Sequence, residues 1–251
     1  NNTYVGYKSG YGSSAGGESN VGVGANSLLA VNGAAANVAT GYGALISLTS
    51  GDYNVAVGAN SLDALTTGSK NVAIGRNALG AAGAAEDANI AIGYHAMDGA
   101  DEGSSGTIDN NIAIGRGALT GGDFNTSSTT FTENIAIGTT ALNSTGTNAQ
   151  TGTIAIGSES LTDLTSGGQN VAIGYQTGWD ITTGASNTLL GYGAGKWMEE
   201  GSGNVALGAY AGWKLGHADS DTNVLVGMAA GGGGDTTDAN NTAADNVAIG
   251  H

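Results

Sequence analysis

Cysteine and proline are both missing from this chain of 251 residues. Without cysteine there is no disulfide framework and no thiol chemistry, and the redox compartment is not legible. Without proline, and with glycine not recurring at every third position, the 47 glycines do not describe a collagen. Basic residues are scarce: 6 Lys and Arg against 21 Asp and Glu give a formal charge of −15. Such a chain repels nucleic acid and anionic membranes, so neither is expected as a partner. No apolar run approaches about 18 residues, the least that spans a bilayer as a helix. Aromatics make up 6%, too few for a globular core of ordinary size. There is no initiating Met and no signal-peptide pattern, and the chain stops inside a motif at His251. It reads as one repetitive domain, 1–251, cut from a longer fibre protein.

What is present is a repeat. The pentad Asn-Val/Ile-Ala-Val/Ile-Gly recurs fourteen times, with its glycine at Gly6, Gly24, Gly41, Gly58, Gly75, Gly93, Gly115, Gly138, Gly157, Gly174, Gly191, Gly208, Gly227 and Gly250. The base period is 17, and a fixed period this short over a whole chain marks a stacked solenoid. The expected fold is all-β: a parallel β-solenoid, or β-roll, of about 14 turns. Each β-branched stretch predicts a strand, and its glycine a corner where φ > 0 would penalise a side chain. A small residue and then Leu, Met or Gly follow, as in Ala78-Leu79 or Ala194-Gly195. Several turns close on a corner such as Thr66-Thr67-Gly68. At about 4.8 Å per turn, thirteen steps predict a rod roughly 62 Å long.

The leading Asn stands in thirteen of the fourteen copies, with Thr153 the exception. Stacking in register places Asn20, Asn37, Asn54, Asn71, Asn89, Asn111, Asn134, Asn170, Asn187, Asn204, Asn223 and Asn246 in one ladder of hydrogen-bonding amides. Their role is structural. Both faces of the pentad are apolar, although a strand with one wet face would show Thr, Lys or Glu there. One face fills the coil. The other needs a second cover, and its small Ala suits close approach by another backbone. Self-association follows.

Three strings resemble the repeats of bacteriophage tail-fibre proteins: NVAIGYQTG at 170–178, NTLLGYGAG at 187–195 and NVAIGRNAL at 71–79. They resemble, less closely, the left-handed β-roll head of trimeric autotransporter adhesins, whose period is usually shorter. The resemblance covers the whole chain. It implies a left-handed coil, a homotrimer and an extracellular place, either a virion tail fibre or a bacterial cell surface. It also implies the function: a structural and attachment segment contacting a host-surface glycan or protein, with the head of a bacterial surface adhesin as the alternative.

Longer spacings of 19 to 23 residues add loops around 100–109, 121–133, 144–152, 215–221 and 232–244. These hold much of the acid, including Asp101, Glu102, Asp109, Asp123, Glu133, Asp219, Asp221, Asp235 and Asp238. They read as surface decoration or as binding loops. Trp179, Trp197 and Trp213 fall five, six and five residues after their motif glycines on successive turns. They form either a row that stacks on sugar rings or a patch that fills a wider corner where Gly replaces Leu. Tyr7, Tyr42, Tyr94, Tyr175 and Tyr192, each directly after a motif glycine, are expected to pack at the corner.

Signals for catalysis fail. The string Gly12-Ser13-Ser14-Ala15-Gly16 lacks a strand–turn–helix context. His95, His217 and His251 show no carboxylate or second His at ligand spacing, and no phosphate loop or calcium-loop pattern occurs. A polysaccharide-cleaving tailspike would need paired carboxylates, for which Asp180, Glu199 and Glu200 beside the tryptophans are the candidates. Hexapeptide-repeat acyltransferases carry their Ile-Gly-type signal every six residues, whereas here it comes once per turn. No catalytic residue, metal site or cofactor is expected. Sequons begin at Asn1, Asn125, Asn143 and Asn240.

Overall fold

Each pentad forms a strand of three residues, because two β-branched side chains flank a small one and the glycine after them turns the chain. The computed structural model describes residues 1–12, 17–81, 83, 85–99, 107–121, 130–144, 150–215, 220–231 and 245–250. Outside them lie the loop acids Asp101, Glu102, Asp123, Asp219, Asp235 and Asp238, the histidines His217 and His251, Asn125 and Asn240, and residues 13–16 of the Gly-x-Ser-x-Gly string. Among the described residues there are seventeen strands and no helix. The protein is an all-β solenoid of parallel strands.

The chain divides into two units, Asn1–Thr132 and Glu133–His251. In the first, seven pentad strands stack in parallel in the order of the chain: β1 (Thr3–Val5), β2 (Val21–Val23), β3 (Val38–Thr40), β4 (Val55–Val57), β5 (Val72–Ile74), β6 (Ile90–Ile92) and β8 (Ile112–Ile114). Two further strands, β7 (Thr107–Asp109) and β9 (Thr130–Thr132), pair with each other, Ile108 opposite Phe131. In the second unit the pentads give β10 (Ile135–Ile137), β12 (Ile154–Ile156), β13 (Val171–Ile173), β14 (Thr188–Leu190), β15 (Val205–Leu207), β16 (Val224–Val226) and β17 (Val247–Ile249), again stacked in order. β11 (Gln150–Thr151) precedes β12. Register never slips. Ala56 lies over Ala73 after 17 residues, and Ala91 over Ala113 after 22.

The asparagine ladder sits inside the coil. Asn71 donates its backbone N–H to Asn54 Oδ1 at 2.9 Å and its Nδ2 to the same oxygen at 3.1 Å. Asn54 donates Nδ2 to the Gly68 carbonyl at 2.9 Å. That acceptor stands three residues before the next ladder Asn, and the rule holds when the turn grows: Asn89 donates to Ile108 O and Asn111 to Phe131 O. In the second unit the acceptors are Gln150, Gly184, Gly201 and Ser220. Asn2 begins the ladder by accepting from the Asn20 amide at 2.8 Å. In several 17-residue turns the acceptor position is glycine, since a Cβ on Gly201 would stand 2.7 Å from the Ser220 carbonyl. Longer turns make room for side chains there, and Ile108 and Phe131 are buried.

The corner glycines behave as their spacing implies. Gly191 has φ +137°, and a Cβ on it would come within 2.6 Å of the Gly208 carbonyl group. Four residues after the motif glycine the chain is again left-handed, with Leu28, Leu45, Leu62 and Leu79 at φ 50–52°. Such a conformation costs roughly 1–2 kcal/mol per non-glycine residue. It is held because each Leu fills the coil interior, where all four are fully buried.

One expectation is reversed. The central Ala of the strand points into the coil, as at Ala39, Ala56, Ala73, Ala91 and Ala113. The flanking Val and Ile point outward, with Val57 36% and Ile74 40% exposed. The narrow interior, already holding the Asn amides and the Leu side chains, has room only for a methyl group. The face that needs cover is therefore the bulky one.

Two substitutions test the ladder. Asn54→Ala leaves the buried Asn71 amide and the Gly68 carbonyl unpaired, and should cost about 3 kcal/mol in urea denaturation. The Thr153 side chain accepts nothing: its Oγ1 is buried without a partner among the described residues. The Thr153 N–H still donates to Asn134 Oδ1 at 3.0 Å. Thr153→Asn restores an acceptor for Asn170 and should stabilise by about 1 kcal/mol.

Candidate functional site

In the second unit the left-handed position four residues past the motif glycine is Leu in the first two turns, Leu142 and Leu161, and then itself glycine: Gly178, Gly195, Gly212 and Gly231, with φ 60–71°. The room left by the missing Leu is taken from the strand side. Leu189 replaces the usual central Ala and lies 3.0–3.1 Å from where a Cβ on Gly195 would stand; Leu225 replaces it in the turn of Gly231, 2.6 Å from a Cβ there, and also reaches to 2.9 Å from a Cβ on Gly212 in the turn before. The interior is thus full without the tryptophans. Trp179, Trp197 and Trp213 turn outward, each half-buried on the surface.

The structure brings Trp197 and Trp213 together, their ring centroids 5.0 Å apart at 42°, while the Trp197 N–H donates to the Trp213 carbonyl at 3.2 Å. Trp213 meets Tyr210 edge-on at 5.9 Å. Tyr210 continues into Tyr192 at 5.1 Å, and Tyr192 stacks on Tyr175 at 5.3 Å. Trp179 is tied in through an ammonium: Lys196 Nζ stands 5.5 Å from the Trp179 centroid and 5.3 Å from that of Trp197. Lys196 also donates to Gln176 Oε1 at 2.7 Å, and Gln176 Nε2 donates to Glu159 Oε2 at 2.7 Å. Lys214 Nζ lies 4.8 Å over Trp213. Between these groups opens a pocket of about 370 Å³ lined by Lys196, Trp197, Tyr210, Trp213 and Ala229. The placing of Lys196 in its wall and the pairing of Tyr210 with Trp213 carry no signal in the repeat; only the three-dimensional stack reveals them.

The tyrosines after the motif glycines do not fill corners. Tyr192 is 48% exposed, and Tyr7, Tyr42, Tyr94 and Tyr175 are exposed with it. With the inside occupied by Ala, Asn and Leu, a ring at this position has only the outer surface to lie on. The Tyr210 hydroxyl is held above its usual range, first by its hydrogen bond with Tyr192 and then by desolvation.

A carboxylate partner for His95 does exist, three residues on: its Nδ1 pairs with Asp98, a neighbour that the linear pattern did not suggest. Asp98 in turn helps to hold Asp63 above the carboxylate range, after burial as the larger cause. Of the loop acids, Asp109 and Asp221 prove to be ladder residues. Asp109 Oδ1 accepts from the Asp87 amide at 2.8 Å and Asp221 Oδ1 from the Ser202 amide at 2.7 Å. Among the described residues no three His, Asp or Glu side chains gather as a metal site, and no helix is long and apolar enough to cross a membrane.

Asp163, Asp180 and Glu199 stand as interacting neighbours on successive turns beside the tryptophans. Burial, then Glu199, then Asp163 raise the Asp180 carboxyl above its ordinary 3.8, and burial raises Asp163. Asp163 and Asp180 recur at one position of successive turns, as stacking produces wherever acids repeat, and Glu199 stands two places further along its own turn, in register with Thr182. No protein-family model, curated protein or solved structure matches the chain.

The acid row makes a pH prediction. The folded state holds the Asp180 proton more tightly than the unfolded chain does. Stability is therefore gained as pH falls through the raised range of Asp180, and the gain is complete below 3.8. Melting curves across that window should show Asp180→Asn more stable than the parent at neutral pH, with the two converging in acid.

Proposed function

We propose that the chain is a structural and attachment segment of an elongated extracellular fibre, assembled from three copies around a common axis, and not a catalyst. One observation carries this reading: the outward Val/Ile ribbon. In each unit, two of every three pentad-strand residues are aliphatic side chains facing away from the coil, rung after rung, interrupted by Thr3, Thr40 and Thr188. No Lys, Arg or Glu stands on the pentad strands to blunt the ribbon. Leu190 is 49% exposed, and tyrosines extend the ribbon at its edge. Soluble monomers rarely leave an apolar surface this continuous in water. A second and third copy of the same ribbon would remove it, because equal rung spacing lets identical chains pack in step.

The number three comes from the resemblance of the repeats to tail-fibre proteins, which also supplies the extracellular setting and the attachment role. The absence of any basic stripe fits a surface that meets host glycans or proteins and not nucleic acid.

Light scattering should give a mass three times the chain's 24.3 kDa. Val57→Lys combined with Ile74→Lys leaves the interior untouched and should reduce that mass to one chain with the β-rich circular dichroism spectrum kept. A wild-type protein that is monomeric at tens of micromolar ends the proposal.

A further inference from the structure

The geometry points to a specific ligand class: we infer that the pocket between Trp197, Trp213, Tyr210, Lys196 and Ala229 binds a saccharide bearing a carboxylate, a sugar of the uronic or sialic acid type. This deepens the attachment half of the reading above and rests on it for its biological sense, although the pocket is complete within one chain.

Volume is the first argument. About 370 Å³ lies within the roughly 300–1,000 Å³ of small-molecule sites, large enough for a sugar ring and small enough to exclude a folded segment. The second is surface chemistry. Leu189 and Leu225 already fill the interior, so nothing in the packing requires these indoles, yet their faces are left partly open. A pyranose ring presents a flat patch of C–H groups that lies against such a face, while its hydroxyls reach the indole N–H and the Tyr210 hydroxyl.

Charge narrows the class. Lys196 and Lys214 are the only basic residues between 133 and 251, in a chain of net −15. Each is poised over an indole of the pocket wall, at 5.3 Å and 4.8 Å. Lys196 is further fixed by Gln176, so its ammonium is placed before any ligand arrives. Two ammonium groups beside one aromatic pocket in an acidic protein mark a place for an anion. They also exclude the other common guest of an aromatic box. A quaternary ammonium ligand would be repelled by the two ammonium groups that stand at the same rings.

All three tryptophans of the chain lie in or beside this site, so intrinsic fluorescence reads it directly. The full chain is titrated with a panel of uronic-acid and sialic-acid oligosaccharides, each compared with its carboxyl-reduced counterpart, and light scattering is recorded on the same samples. At least one acidic member should shift the emission and saturate, and its reduced counterpart should bind about tenfold more weakly. Lys214→Gln should erase most of that difference while leaving the reduced sugar's binding unchanged, and Trp213→Ala should abolish both. The inference is overturned if no acidic sugar saturates, if the reduced sugars bind equally, if Lys214→Gln changes nothing, or if choline competes. A monomer that still binds the acid sugar removes the fibre assembly alone, whereas a trimer that ignores it removes the pocket assignment alone.

Discussion

A buried amide that bonds both to the turn before it and to the turn after it governs this architecture. Where Asn follows Asn, as from Asn54 to Asn71, the side-chain oxygen takes two donors from the next Asn, and the nitrogen closes onto a carbonyl three residues before that same neighbour. The pattern fixes the vertical step, the rotation of each turn and the point where every turn must end. Polar groups at the centre of so thin a coil have no water to bond, so the ladder is their alternative to being left unpaired. The other restrictions follow from that placement. Corner glycines accept close carbonyls, left-handed leucines are tolerated because their side chains seal the ladder from one side, and the strand's inner residue must be small.

That last restriction decides which face of the strand looks outward. An interior crowded with amides and leucines admits Ala and expels Val and Ile, so the β-branched residues that favour the strand also form its external surface. Where the crowding is relieved, at Gly195 and Gly231, the inner residue of the same turn grows to Leu189 and Leu225, while the turns of Gly178 and Gly212 keep Ala172 and Ala206 and are filled by those leucines from the turn that follows. The same covariation leaves the neighbouring indoles unemployed by the core and free to build a pocket. Interior packing and the outer aromatic surface are thus linked through an exchange of volume between the strand and the left-handed position beside it.

Much of this was legible in the linear repeat. The period gave the stacking, the recurring Asn the ladder, and the glycine the corner, because each depends on a residue type with one dominant physical use. What the repeat hid were matters of inside and outside. Alternation says that Ala73 and Ile74 face opposite ways but not which way is in. Nor could spacing show that Leu189, and not Trp197, fills the gap left by Gly195, since that compensation crosses from one side of a turn to the other. The pairing of His95 with Asp98 escaped for a related reason: three residues apart on a left-handed bend is nearer than three apart on a strand. The acids Asp109 and Asp221 looked like loop decoration, yet they hold backbone amides of the preceding turn.

Because the carbonyl that receives each ladder amide is counted back from the next Asn, chain length between rungs is free upstream of that carbonyl. Seventeen, twenty-two or twenty-three residues arrive at an equivalent junction, as Gly68, Ile108 and Phe131 show. Loop content can therefore diverge while the scaffold stays constant. In-frame duplication or loss of a single unit would likewise create no new kind of joint, so reach and recognition can evolve separately.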